Sequence, residues 1–329
     1  MTDYNLADYS KKPITEPNRK GFGLGLVEAG DQDVNVVAAC ADLTESTQMY
    51  MFQEKYPDRF IEIGVAEQNL VTVGSGLAAA GKIPFVSSYA AFSPGRNWEQ
   101  IRTTICLNNQ PVKIIGSHTG VSVGPDGATH QMLEDIALMR VLPNMIVLAP
   151  ADSVEAKKIT LAMAKNDRPN YMRLAREAIP IITTIETPFE IGPAYIYRQG
   201  VDISLMATGT MTYQALIAAE ILAKDGINAE VIHVPTIKPL DRETILKSAQ
   251  KTRLVITVEE GQIIGGFGGA IAELLAEELP TPMRRIGMLD RFGESGEMDE
   301  LINFFGLDAK HIVLAAHNIL EIKKHKQLQ

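Results

Sequence analysis

The chain has 329 residues, 31 lysines and arginines against 40 aspartates and glutamates, a net charge of −9, and 46% hydrophobic content. This profile excludes disordered, collagen-like and low-complexity classes, and the lack of a basic stripe excludes a nucleic-acid footprint. Single cores stop growing near roughly 250–300 residues, so the length predicts two domains. Residues 1–18 read as a polar arm. Beyond them, short β-branched runs alternate with helical stretches, the pattern of a largely parallel sheet covered on both faces. Apolar runs predict strands over 34–39, 60–63, 83–88, 112–116, 145–149 and 171–173. Between them lie helices over 67–80, 95–108, 132–141 and 154–165, the last opened by Asp152 or Ser153 as N-cap. Segment 177–200 loosens around three prolines and reads as a linker. The second half resumes with strands over 203–206, 229–234 and 254–258 and helices over 212–225, 242–249 and 267–278. The expected fold is α/β, two doubly wound domains over 19–180 and 201–329 joined by 181–200. Cys40 and Cys106 lack metal or redox spacing and read as buried thiols of a reducing cytosol. No leader pattern or run of about 18 apolar residues is present, so a cytoplasmic chain without a membrane role is expected.

The sharpest chemical cluster is GSHTGVSVGPDGATHQ, residues 116–131, directly after a predicted strand. Ligands bind beyond the carboxyl ends of parallel strands, which places His118, Asp126 and His130 where a site forms. Either histidine alone reads more plainly as a turn cap. Two in one glycine-rich loop point to hydroxyl binding and proton transfer. Zinc is disfavoured by their spacing and by the absence of a cysteine partner. Glu67, in IEIGVAEQNL, opens a helix, where an acid complements the helix dipole. Its apolar flanks also fit a carboxyl that shares a proton with a ligand nitrogen. Phe85, Tyr89, Phe92 and Trp98 crowd one stretch; Phe85 and Trp98 read as core, whereas Tyr89 and Phe92 can face a heteroaromatic ring. ADLTESTQM (41–49) and Arg176 supply anion-binding groups, with helix capping and an ion pair to Glu177 as the plainer alternatives. The turn GGFGG before a helix is weak evidence for a nucleotide, because Ile271 stands where G-x-G-x-x-G needs its third glycine.

In order and spacing, ADLTES, GVAEQN and SHTGVSVGPDGATHQ resemble the C-terminal half of transketolases, from Arg19 to about Ala316. The resemblance implies a pyrimidine-binding domain followed by a transketolase C-terminal domain, and thiamine diphosphate with Mg²⁺ as cofactors. It implies that Glu67 bonds N1′ of the aminopyrimidine, sharing a proton that favours the imino tautomer needed to activate the thiazolium. Phe92 and Tyr89 would pack on the pyrimidine, and Asp42 would contact cofactor across a subunit interface. His118 and His130 would line the substrate channel, Asp126 would read the donor's C2 hydroxyl, and Arg19, Ser46 and Arg176 would hold a sugar phosphate.

The family's diphosphate-binding G-D-G motif is missing. The nearest strings are AGDQD at 29–33 and GPDG at 124–127. A split enzyme is therefore expected, in which an N-terminal subunit carrying the diphosphate domain completes the site as α2β2. The β subunit of a 2-oxoacid dehydrogenase and deoxyxylulose-phosphate synthase are alternatives. His118, Asp126 and the THQ string favour sugars over oxoacids, and His118 disfavours the synthase. A non-catalytic assembly partner is a further alternative, opposed by the intact Glu67. The basic tail Lys323, Lys324, Lys326 carries no assigned role.

Overall fold

The computed structural model describes residues 4–9, 11 and 13–327, with side chains through 322. The side chains of the basic tail lie outside the described residues. The first half builds β1 (Thr15–Pro17), β2 (Val36–Cys40), β3 (Phe60–Glu62), β4 (Ile83–Tyr89), β5 (Lys113–Ser117), β6 (Ile146–Leu148), β7 (Asn170–Arg173) and β8 (Ala178–Pro180). The second builds β9 (Tyr195–Arg198), β10 (Ile203–Ala207), β11 (Ala229–His233), β12 (Thr236–Lys238), β13 (Val255–Gln262) and β14 (Met283–Met288). Strands β2, β5, β7, β10 and β11 are buried along their whole length, as expected for parallel strands covered by helices on both faces.

A seven-stranded sheet has the order β12-β6-β7-β5-β4-β2-β3, parallel except where β12 joins β6, and a five-stranded sheet has the order β14-β13-β10-β11-β9, with only β9 antiparallel. The α/β reading therefore holds, with one correction to the picture of two self-contained units: β12 leaves the second half and closes the edge of the first sheet. Its Ile237 is 2% exposed there, and Ala149 N–H donates to the Pro235 carbonyl at 2.8 Å. One apolar core runs through both halves, linking Val86, Ile114 and Tyr171 to Ile232, Phe267 and Leu274. Buried His233 and Glu155 meet across the same boundary at 2.8 Å.

The described residues of the expected arm, and the expected linker, are packed. Strand β1 pairs antiparallel with β8, the Tyr4 ring lies edge-on to Tyr195 at 5.5 Å, and Asp152 accepts bonds from both backbone N–H and hydroxyl of Thr183. Asp152 also caps the helix Ser153–Ala164, accepting from Glu155 N–H at 2.9 Å. The predicted helix 95–108 is shorter: a turn at Trp98–Gln100 widens into π-helical Ile101–Cys106. Helix Asn18–Gln32 was not anticipated, since four glycines lower its propensity. Its reason is close approach, because a Cβ on Gly21 would stand 1.8 Å from the Ser153 carbonyl oxygen on the neighbouring helix. Both cysteines are buried free thiols. Among the described residues no helix is long and apolar enough to cross a membrane.

Candidate active site

The candidate side chains lie beyond the carboxyl ends of β2, β3, β4, β5 and β7, where loops leave parallel strands. Glu67 is the first residue of helix Glu67–Ala79 and is 5% exposed. Its apolar flanks fit a carboxyl that shares a proton with a ligand nitrogen. In the structure, Arg96 Nη1 lies 3.2 and 3.3 Å from the two carboxylate oxygens, while the same guanidinium covers the Phe92 ring at 4.1 Å from its centroid. Asn97 locks the base of the helix by donating to the Glu67 carbonyl at 2.8 Å. Carboxylate and aromatic face thus address one spot, bridged by a planar cation whose side chain is 52% exposed. Arg96 was not read from the sequence; the available signal is its position one helical turn after Phe92.

From Phe92 an aromatic wall continues. Tyr89 lies near-parallel to Phe92 at 6.0 Å and stacks on His118 at 3.7 Å, while His130 stands edge-on to both rings, at 6.1 and 5.3 Å. Each histidine commits Nδ1 to a neighbouring hydroxyl at 2.8 Å, His118 to Ser117 and His130 to Thr129. His118 is buried in a left-handed conformation (φ 59°). Burial, reinforced by the positive Arg19 and Arg176 and by His130, pushes its pKa down to about 3. His118 is therefore expected to remain a neutral imidazole from pH 5 upward, read from its ¹⁵N shifts; an imidazolium signal at pH 6 would contradict the geometry. The unfolded imidazole ionises near ~6.5, so between that pH and about 3 the unfolded chain binds the additional proton and this residue's contribution to stability falls on acidification.

The three anion-binding candidates also meet. Arg19 donates from Nε to the Arg176 carbonyl at 3.1 Å and from Nη1 to the Ser46 carbonyl. Ser46 thus engages through its backbone, not its hydroxyl. Arg176 donates to the Val123 carbonyl at 2.9 Å and pairs with Glu177 at 2.8 Å, so the plainer alternative, the ion pair, forms as well. Asp42 and Asp126 are not drawn into this network. Asp42 is exposed with φ 57°, its N–H held by Glu62 at 2.8 Å, and Asp126 is exposed at the end of the turn Val121–Asp126. The GGFGG turn is occupied by the chain itself: Glu259 accepts the Phe267 and Gly268 N–H groups, each at 2.7 Å, at the start of helix Phe267–Glu278. Burial raises the Glu259 pKa to about 7. That pairing removes the motif as a nucleotide site.

A pyrimidine-binding domain with a companion α/β domain is the class that fold and cluster define. Residues 17–181 match the transketolase pyrimidine-binding domain and residues 192–312 the transketolase C-terminal domain. The chain belongs to the transketolase family, in the section that split transketolases carry as a C-terminal subunit. It is 45% identical over 309 residues to a transketolase C-terminal section from Methanocaldococcus jannaschii, covering 93% of this chain and 96% of that one. It is 42% identical to the 6-deoxy-6-sulfo-D-fructose transketolase subunit SqwH of a Clostridium species, covering 92% and 94%. A solved split-gene transketolase, described as an inactive β4 tetramer, superposes with a TM-score of 0.87 at 42% identity, covering 93% and 98%.

Proposed function

We propose that this chain is the C-terminal subunit of a split transketolase that moves a two-carbon ketol unit between sugar phosphates, with a separate N-terminal subunit holding the diphosphate and most of the Mg²⁺ shell in a cytoplasmic α2β2 assembly. The observation that carries it is the convergence of Glu67, Phe92, Tyr89 and two histidines on one surface. The residues fit an aminopyrimidine: a buried carboxylate and a flat ring already hold a planar nitrogen cation, that of Arg96, between them. When bound, thiamine diphosphate supplies the nucleophilic carbon that carries the two-carbon unit. Glu67 holds the proton at the ring nitrogen, and Phe92 with Tyr89 keeps that ring flat and shielded from water. His118, held neutral by burial, and His130 bond substrate hydroxyls, Asp126 reads the donor's C2 hydroxyl, and exposed Asp42 meets the cofactor of the adjoining protomer. Arg19 and Arg176, with Ser46, hold the substrate's terminal anion. The sulfo-sugar named for the Clostridium relative carries a sulfonate there, chemistry the same arginines accept. Dependence on a second chain draws support from the inactive β4 neighbour. The same reading keeps the domain division at 19–180 and 201–329, apart from the exchanged β12 and from β9, which lies in the expected linker and pairs with β11 of the second sheet.

Mixed with an N-terminal transketolase subunit, thiamine diphosphate and Mg²⁺, the chain is expected to transfer glycolaldehyde units from a ketose phosphate, and alone to transfer none. Absence of transfer in the mixture would overturn the reading.

A further inference from the structure

The loop between β5 and helix Asp135–Arg140 carries both histidines, yet it has little regular structure of its own. It enters left-handed backbone at His118, Gly120, Gly124 and Gly127. Its shape is imposed from the second half of the chain. Glu260, 4% exposed on β13, accepts the Ser122 N–H at 2.6 Å and the Thr210 hydroxyl at 3.2 Å. Gln131, also 4% exposed, donates to the Val121 and Gly124 carbonyls inside the loop, at 3.1 and 3.3 Å, and to the Glu294 carbonyl of the second half at 2.8 Å. Backbone bonding adds a third tie, from Gln262 N–H to the Leu133 carbonyl at 2.8 Å. The mould is tight: a Cβ on Gly120 would stand 2.2 Å from the Glu260 carboxylate, and one on Gly127 would stand 2.5 Å from the Ser295 hydroxyl.

We infer that Glu260 and Gln131 are positioning residues through which the second half of the chain sets the substrate loop, so that sugar recognition in the first half depends on a domain that supplies no reacting group. The effect on substrate rests on the transketolase reading; the effect on loop geometry does not. Glu260 accepts the Ser122 N–H on Oε1, a task the carbonyl of glutamine also performs while its amide nitrogen donates to the Thr210 hydroxyl, whereas Gln131 acts as a donor to three carbonyls, a task glutamate cannot perform.

In the reconstituted enzyme, Glu260→Ala is expected to raise KM for the ketose phosphate roughly tenfold or more, with thiamine diphosphate affinity within about twofold of wild type, and Glu260→Gln to restore KM. Gln131→Glu keeps the shape, removes the donor and is expected to reproduce the alanine phenotype. In the full chain alone, the alanine and glutamate variants shift the His118 and His130 ring-proton resonances and speed protease cleavage within residues 118–131, while Glu260→Gln does neither. Should Glu260→Ala fail to fold, Gln131→Glu decides between the outcomes. Unchanged resonances and cleavage in folded variants overturn the inference whether or not the mixture shows transketolase activity. An inactive wild-type mixture with shifted resonances overturns only the activity assignment.

Discussion

Glu67→Gln is expected to lower turnover of the assembled enzyme by roughly 10²- to 10⁴-fold, the range that a positioned proton-transferring group supplies. Glutamine keeps the size of the side chain and cannot hold the carboxylate's proton. The backbone clasp from Asn97 to the Glu67 carbonyl is untouched, so the helix start should stay in place. Only the ion pair to Arg96 is lost, and with the arginine side chain 52% exposed that pair adds little to stability. The experiment therefore separates chemistry from folding: steady-state kcat collapses, while the thermal melt and assembly with the N-terminal subunit stay as in wild type. Wild-type turnover in this variant would remove Glu67 from the mechanism.

The largest effect on stability is expected from Asp135→Ala. Asp135 is fully buried, its Oδ2 stands 3.0 Å from Arg173 Nε, and the same oxygen accepts the Tyr171 hydroxyl at 2.9 Å. Deleting the carboxylate leaves a guanidinium that is 6% exposed without its directly paired counter-charge, a change that costs about 3–5 kcal/mol. Arg173 also donates to the Glu260 carbonyl at 2.9 Å, so the damage reaches the second half. In urea the midpoint should fall without a large change in slope, and the loss should exceed that of Asp135→Asn, which keeps an acceptor for Tyr171. A midpoint equal to wild type would mean that water reaches and solvates the abandoned arginine.

Much of the fold was legible because its strands are buried on both faces and so appear as apolar runs, as in VVAAC. The cap at Asp152 was legible for a local reason, since one side chain satisfies a nearby N–H. What escaped depends on partners distant in sequence. Helix Asn18–Gln32 looks like a poor helix until Ser153 is seen to need the space beside Gly21. Thr-Ile-Lys at β12 falls outside every predicted strand, and only the open flank of β6 explains why it becomes one. Within the site, aromatic and histidine types marked Tyr89, Phe92, His118 and His130, whose rings do converge. Arg96 escaped because an exposed arginine is ordinary until its ring and carboxylate partners are known. Glu260 escaped, and Gln131 is marked only as part of the THQ string, because their hydrogen bonds reach 138 and 163 residues along the chain.

The exchange of β12 bears on how this protein can be cut. A fragment ending near residue 200, where the pattern loosens, would keep every parallel strand of the larger sheet yet lose the strand paired to Leu148. The outer side of β6 would then present free N–H and carbonyl groups in a row, a template on which a second fragment can add as a new strand. Such a half-molecule would be prone to fibrils or swapped oligomers, and it would also bare the part of the shared core that Ile232, Phe267 and Leu274 cover. Any piece that is to behave well must keep residues 236–238 with the sheet they close.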